Sequence, residues 1–161
     1  MYSVHPSVAY AQAILRNLEE KTGRSLDAWI ALLEKEGPSG QKERRDWLKA
    51  THKLGGTTAF LIADRSVGKG LDDTDEAVYL AAAPGYVETM FKGKEAFRPA
   101  YDRIIKMAQE QLPELRICPC TTIVPLYRNR VFAQIKPATK SRLGLGLCLR
   151  DFTCKLSPRF V

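Results

Sequence analysis

The run Thr121-Thr122-Ile123-Val124-Pro125-Leu126-Tyr127, the turn Arg128-Asn129-Arg130, and the run Val131-Phe132-Ala133-Gln134-Ile135-Lys136 decide the fold of this chain. β-branched and aromatic residues crowd both runs, and the polar tripeptide between them has the composition of a hairpin connection. A third run has the same period: from Arg142 to Arg150, Leu143, Leu145, Leu147 and Leu149 alternate with Arg142, Gly144, Gly146, Cys148 and Arg150. Successive side chains of a strand point to opposite faces, so the leucines are expected on a core. The other face is then flat in the middle and basic at both ends. Glycine there lets a ligand or another backbone approach closely, or serves strand curvature and packing against a covering helix.

Upstream of this sheet the period is that of helices. The segment Ala96 to Gln111 sets Tyr101, Ile104, Ile105 and Ala108 on one side and is stopped by Pro113. The cluster Asp72-Asp73-Thr74-Asp75-Glu76 precedes another apolar helical stretch. Carboxylates can hold a divalent cation, but Asp and Thr are also favoured caps that complement the helix dipole, and a helix start is the expected role. Nearer the N-terminus, Val4, Val8, Ala11, Leu15 and Leu18 recur at helical spacing and Gly23 closes the helix. Ser25 caps a second helix with Leu26, Trp29, Ile30 and Leu33 inward; Gly37-Pro38-Ser39-Gly40 is a loop. Gln41 to Lys53 turns Trp47 and Leu48 inward, and a fourth helix, Thr57 to Ser66, follows Gly55-Gly56. The expected fold class is α+β: a four-helix unit over residues 1–70, then over 71–161 a small α+β domain with two helices and an antiparallel sheet.

The net charge of +7 is unevenly placed, with 11 basic and 8 acidic residues in 1–70, 5 and 8 in 71–112, and 9 and 2 in 113–161. A basic C-terminal third attracts phosphates, acidic proteins or membrane surfaces, and serves solubility as well. Lys136, Lys140 and Arg142, with Arg128, are the candidate anion-binding residues beside the hairpin. No apolar run nears the ~20 residues of a membrane helix, and Met1-Tyr2-Ser3-Val4-His5-Pro6 lacks the order of a signal peptide, so a cytoplasmic location is expected. In a reducing compartment Cys118, Cys120, Cys148 and Cys154 are expected to stay thiols, and their spacing is not that of paired zinc ligands.

Catalytic machinery is not legible. Histidine, the usual base, occurs only as His5, expected at a frayed end, and His52, expected near a helix terminus. Gln134-x-Lys136 echoes the acid-x-Lys element of metal-dependent nucleases without its partner acid. His52-Lys53-Leu54-Gly55-Gly56-Thr57 has the form of a glycine turn opening a helix, which can present amides to a phosphate but also occurs in any small bundle.

Particular words of the sequence carry a resemblance. Lys21-Thr22-Gly23-Arg24-Ser25-Leu26 with Trp29, then Trp47-Leu48-Lys49 with His52, Leu54, Gly55 and Ala59, resembles a bacterial helical domain, domain of unknown function family 4287. Phe97-Arg98-Pro99 with Tyr101-Asp102, Thr121-Thr122, and Phe132 to Leu143 with Gly146 resemble an α+β domain, domain of unknown function family 5655. The resemblance implies a fold and no established activity. It also implies more sheet and a terminal helix past Leu149, against which this chain, ending at Val161, is read as shortened. The second domain is distantly similar to a group that includes a frataxin-like iron chaperone, and related domains accompany restriction-type nucleases.

The expected function is a non-enzymatic binding module with no cofactor or resident metal. It engages an anionic partner, nucleic acid or an acidic protein, through Arg128, Lys136, Lys140 and Arg142. The alternative is a protein-interaction or oligomerising adaptor, a second copy of the chain included. A third reading is iron or metal handling, on fold analogy and the Asp72 to Glu76 cluster.

Overall fold

A computed structural model describes residues 1–148 and divides the chain into two compact units, Val4–Ala82, and Met1–Ser3 with the chain from Ala83 onward. In the first unit, α1 (Pro6–Arg16) and α2 (Leu18–Thr22) are followed by α3 (Leu26–Glu36), α4 (Gln41–His52) and α5 (Gly56–Arg65). The first expected helix is thus two, because Asn17 leaves the helical conformation (φ −93°, ψ 7°) and starts a second short segment. That segment ends at Gly23, whose φ of +73° is the left-handed closure foreseen for it. Ser25 accepts from the Ala28 amide at 3.3 Å and opens α3. The core is Leu18, Trp29, Leu33, Leu48, Ala59 and Ile62, with Trp47 and Leu54 against its edge. Each such side chain stabilises the fold by about 1.5–3 kcal/mol when fully buried.

A long helix, α6 (Glu76–Phe91), starts where the acidic cluster predicts: the Asp75 carboxylate accepts from the Val78 amide at 3.0 Å. The sequence division set at Gly70 and the division into compact units differ, since the latter falls within α6, beside Pro84. Pro84 has no amide to donate to the turn before it, which weakens the helical ladder there.

In the second unit a short 3₁₀ turn (Glu95–Phe97) leads into α7 (Arg98–Gln111), and four strands follow: β1 (Arg116–Ile117), β2 (Val124–Tyr127), β3 (Val131–Thr139) and β4 (Arg142–Leu147). They form one antiparallel meander in the order β1-β2-β3-β4. The fold class is α+β. The expected strand from Thr121 shortens to Val124–Tyr127, while the next runs on through Pro137 to Thr139. Pro137 lacks a donor for the ladder, and the β3/β4 register shifts between Pro137 and Thr139. The core holds Val87, Met90, Phe91 and Tyr101 from the helices against Ile117, Val124, Leu126, Ala133 and Ile135 from the sheet.

The leucine run departs from expectation. Leu145 pairs with Ile135 and Leu147 with Ala133, so both leucines lie on the core side of the sheet, yet they are 51% and 58% exposed. Only Leu143 packs against the core. The alternation set the side correctly, but among the described residues β4 is an edge strand, and the helices cover its neighbours and not Leu145 and Leu147. Leu149 and Arg150 lie outside the described residues.

Candidate functional site

The outward face of the sheet carries Gln134 and Lys136 on β3 opposite Gly146 and Gly144 on β4. The two glycines serve different ends. A Cβ on Gly146 would meet the Gln134 side chain at 3.2 Å, so this glycine makes room for Gln134 to lie across the strand. At Gly144 the nearest atom to such a Cβ is the Lys136 carbonyl oxygen, 3.5 Å away, and no side chain of the described residues lies within 4 Å of the place. Lys136 therefore stands beside an open stretch of backbone. Arg142, two residues before Gly144, shares this face and sits diagonally from Lys136, at about 7–8 Å between backbones. Lys140 lies in the connecting turn, where the Ser141 amide donates to Thr139 Oγ1 at 3.3 Å. All three cations are exposed, and among the described residues none enters an ion pair. Lys94 adds a fourth charge, its Nζ donating to the Pro137 carbonyl at 2.7 Å.

Arg128 is not part of this group. It begins the turn at the other end of β3, and nine residues at about 3.3 Å each put the two ends ~30 Å apart. Its neighbours are Arg130 and Arg116. The Arg116 guanidinium lies 5.8 Å from the Tyr127 ring centre and donates to the Arg128 carbonyl at 2.8 Å. Arg116, Arg130 and Lys94 were missed in the sequence; Arg116 and Lys94 have no local signal, because strand pairing and a loop contact bring them in.

The remaining candidates have structural employment. His5 is not frayed: it caps α1, its Nδ1 accepting from the Ser7 amide at 3.1 Å, and burial lowers its pKa. His52 ends α4 with its ring edge-on between Trp29 and Trp47, at 5.0 and 4.8 Å. Burial pushes the Cys118 thiol up to about 11 and raises that of Cys120, away from the thiolate a metal or a nucleophile requires. Cys148 is exposed, and Cys154 lies outside the described residues. In the acidic cluster, Asp75 is the α6 cap and Asp73 has its pKa raised by burial, then by Asp72 and Asp64. No three His, Cys, Asp or Glu side chains converge on a common point among the described residues, so iron or another cation finds no matching ligand set there. No described helix is long and apolar enough to cross a membrane.

Gln134-x-Lys136, the nuclease echo, resolves into Gln134 lying over Gly146 and Lys136 in the basic group, without a carboxylate on this pair. No curated protein and no solved structure gives a significant match to the chain. Two families do match, in the order that the sequence words gave them: residues 10–65 match a Domain of unknown function (DUF4287), and residues 87–157 match a Domain of unknown function (DUF5655).

Proposed function

We propose that the second unit is a cytoplasmic, non-enzymatic anion-binding module whose basic tip, Lys136, Lys140 and Arg142, contacts the phosphates of a nucleic acid. The observation that carries this is the exposed cation group itself, unpaired among the described residues and set beside the open backbone at Gly144. By contrast, two helical cations of the same unit are engaged: Arg98 holds Glu88 at 2.6 Å and Asp102 at 3.1 Å, and Lys106 faces Glu110. Contacts of this kind position a backbone and read no sequence.

Each phosphate contact contributes about 0.9 to the dependence of log affinity on log salt, so these residues together give a slope of about 2.7. Raising salt from 50 to 200 mM should then weaken binding about 40-fold. Fluorescence titration with labelled DNA and RNA, on wild type and on the Lys136→Ala/Lys140→Ala/Arg142→Ala variant, tests it. Loss of the salt-sensitive binding in a folded variant supports the proposal, and absence of binding by wild type at low salt rejects it.

A second reading rests on a different observation. The core-side leucines of β4, an edge strand among the described residues, are the surface that an oligomerising adaptor would use. Sedimentation over a hundredfold range of concentration separates the two: a dimer lost on Leu145→Lys favours the adaptor.

A further inference from the structure

We propose that the opposite end of the sheet is a second phosphate-binding cluster, Arg116, Arg128 and Arg130, and that the two ends together fit double-stranded nucleic acid along β3. This rests on the anionic-partner reading above and deepens it. The cluster is built by pairing. Arg116 on β1 faces Tyr127 on β2, stacks on its ring, and ties down the Arg128 carbonyl, while the Arg128 amide donates to the Arg130 carbonyl at 3.2 Å. The turn backbone is thus held while the Arg128 and Arg130 side chains stay exposed. A shallow depression of about 550 Å³ opens there, lined by Arg116, Arg128 and Asn129 with one carboxylate, Glu114, so positive charge dominates.

Span selects the partner. The turn at Arg130 and the turn at Lys140 are held ~30 Å apart by one strand, the rise of about nine base pairs at 3.4 Å each, and Lys136 lies a little past halfway along it. A small phosphorylated ligand reaches one end only. Single strands are held by bases stacked on free aromatic faces; here Tyr127 already carries the Arg116 guanidinium, and Phe132, which lines the hollow beside Arg128 and Arg130, packs partly against the core. Gln134, Gly144 and Gly146 between the ends offer a flat surface and no stacking platform. A duplex presents phosphates at both ends without requiring one.

The test uses the full chain with labelled mixed-sequence DNA duplexes of 6 and 18 base pairs and an 18-nucleotide single strand. The variants are Arg128→Ala/Arg130→Ala, its charge-retaining form Arg128→Lys/Arg130→Lys, and Lys136→Ala/Lys140→Ala, each checked for folding by circular dichroism. On the 18-mer duplex Arg128→Ala/Arg130→Ala should lower the salt slope by about 1.8, at about 0.9 per contact, and the lysine form should restore it. On the 6-mer, too short to reach from the Arg130 turn to the Lys140 turn, the fall should be smaller. A slope on the 18-mer unaffected by Arg128→Ala/Arg130→Ala but flattened by Lys136→Ala/Lys140→Ala overturns the second cluster and leaves the basic tip standing. Single-strand binding as tight as duplex binding overturns the duplex assignment. Absence of salt-sensitive binding by wild type to any probe overturns the underlying reading and this one with it.

Discussion

Replacing Leu145 and Leu147 by threonine measures whether the leucine side of β4 faces solvent. Full burial of a leucine is worth about 1.5–3 kcal/mol, and these two are 51% and 58% exposed, so roughly half of that is at stake at each. Threonine is branched at Cβ, a shape that strands accept. Each substitution should cost about 1 kcal/mol, and the pair about 2 kcal/mol. The internal standard is Ile135→Ala: Ile135 is 0% exposed, pairs directly with Leu145, and its truncation should cost about 2–5 kcal/mol. Urea unfolding is followed by circular dichroism, because both tryptophans, Trp29 and Trp47, lie in the other unit and report on it instead. If either single substitution costs as much as Ile135→Ala at every protein concentration, that leucine is sealed within one chain and the reasoning fails. A wild-type midpoint that rises with protein concentration, and ceases to do so in the threonine pair, instead identifies a second copy as the cover.

Three further outcomes follow from local geometry. Gly37→Ala would set its Cβ 2.7 Å from the Leu33 carbonyl oxygen and should destabilise by about 1–3 kcal/mol, whereas Gly85→Ala, on α6 with open space around it, should stabilise by about 0.5–1 kcal/mol; equal melting temperatures for the two variants would contradict the packing at Gly37. Asp75→Ala should cost about 1 kcal/mol by removing the α6 cap, Asp75→Asn should keep most of it, and magnesium, calcium or ferrous ion should leave the wild-type melting temperature unchanged; a metal-dependent rise would reinstate a cation site. His5 has its pKa lowered by burial, so the unfolded chain takes up this proton at a higher pH than the folded chain does. Its contribution is complete above the unfolded value, about 6.5, and is lost as pH falls from there through the folded value. His5→Asn keeps a capping oxygen that does not titrate and should flatten this part of the stability profile between pH 7.5 and 5; an unchanged profile would show that His5 plays no part in it.

Much of the fold was legible because its signals are local. A period of two around Arg128-Asn129-Arg130 specified the β2–β3 hairpin, Ser25 and Gly23 marked helix ends, and Asp75 marked the start of α6. The break at Asn17 was invisible, since one polar residue inside a continuing apolar stripe does not disturb the spacing. Burial of the leucines was misread for a deeper reason. Alternation says which side of a sheet a residue occupies, while burial depends on whether another layer reaches that side, and among the described residues none fully covers Leu145 and Leu147.

The basic residues show the same limit in its sharpest form. Arg128 and Lys136 are eight positions apart and looked like one group, but an extended strand converts sequence separation into distance at about 3.3 Å per residue, and β3 carries them toward opposite ends of the sheet. Arg116 is farther from Arg128 in sequence than Lys136 is, yet its Nη2 reaches the Arg128 carbonyl, because antiparallel pairing folds the chain back on itself. Within a strand, nearness in sequence sets charges apart; across a pair, register brings them together. A charge cluster on a sheet is therefore a property of pairing, and the proposal of two cationic groups on one span follows from it: a long, regularly charged partner that engaged both would be held more strongly than one that reached either alone.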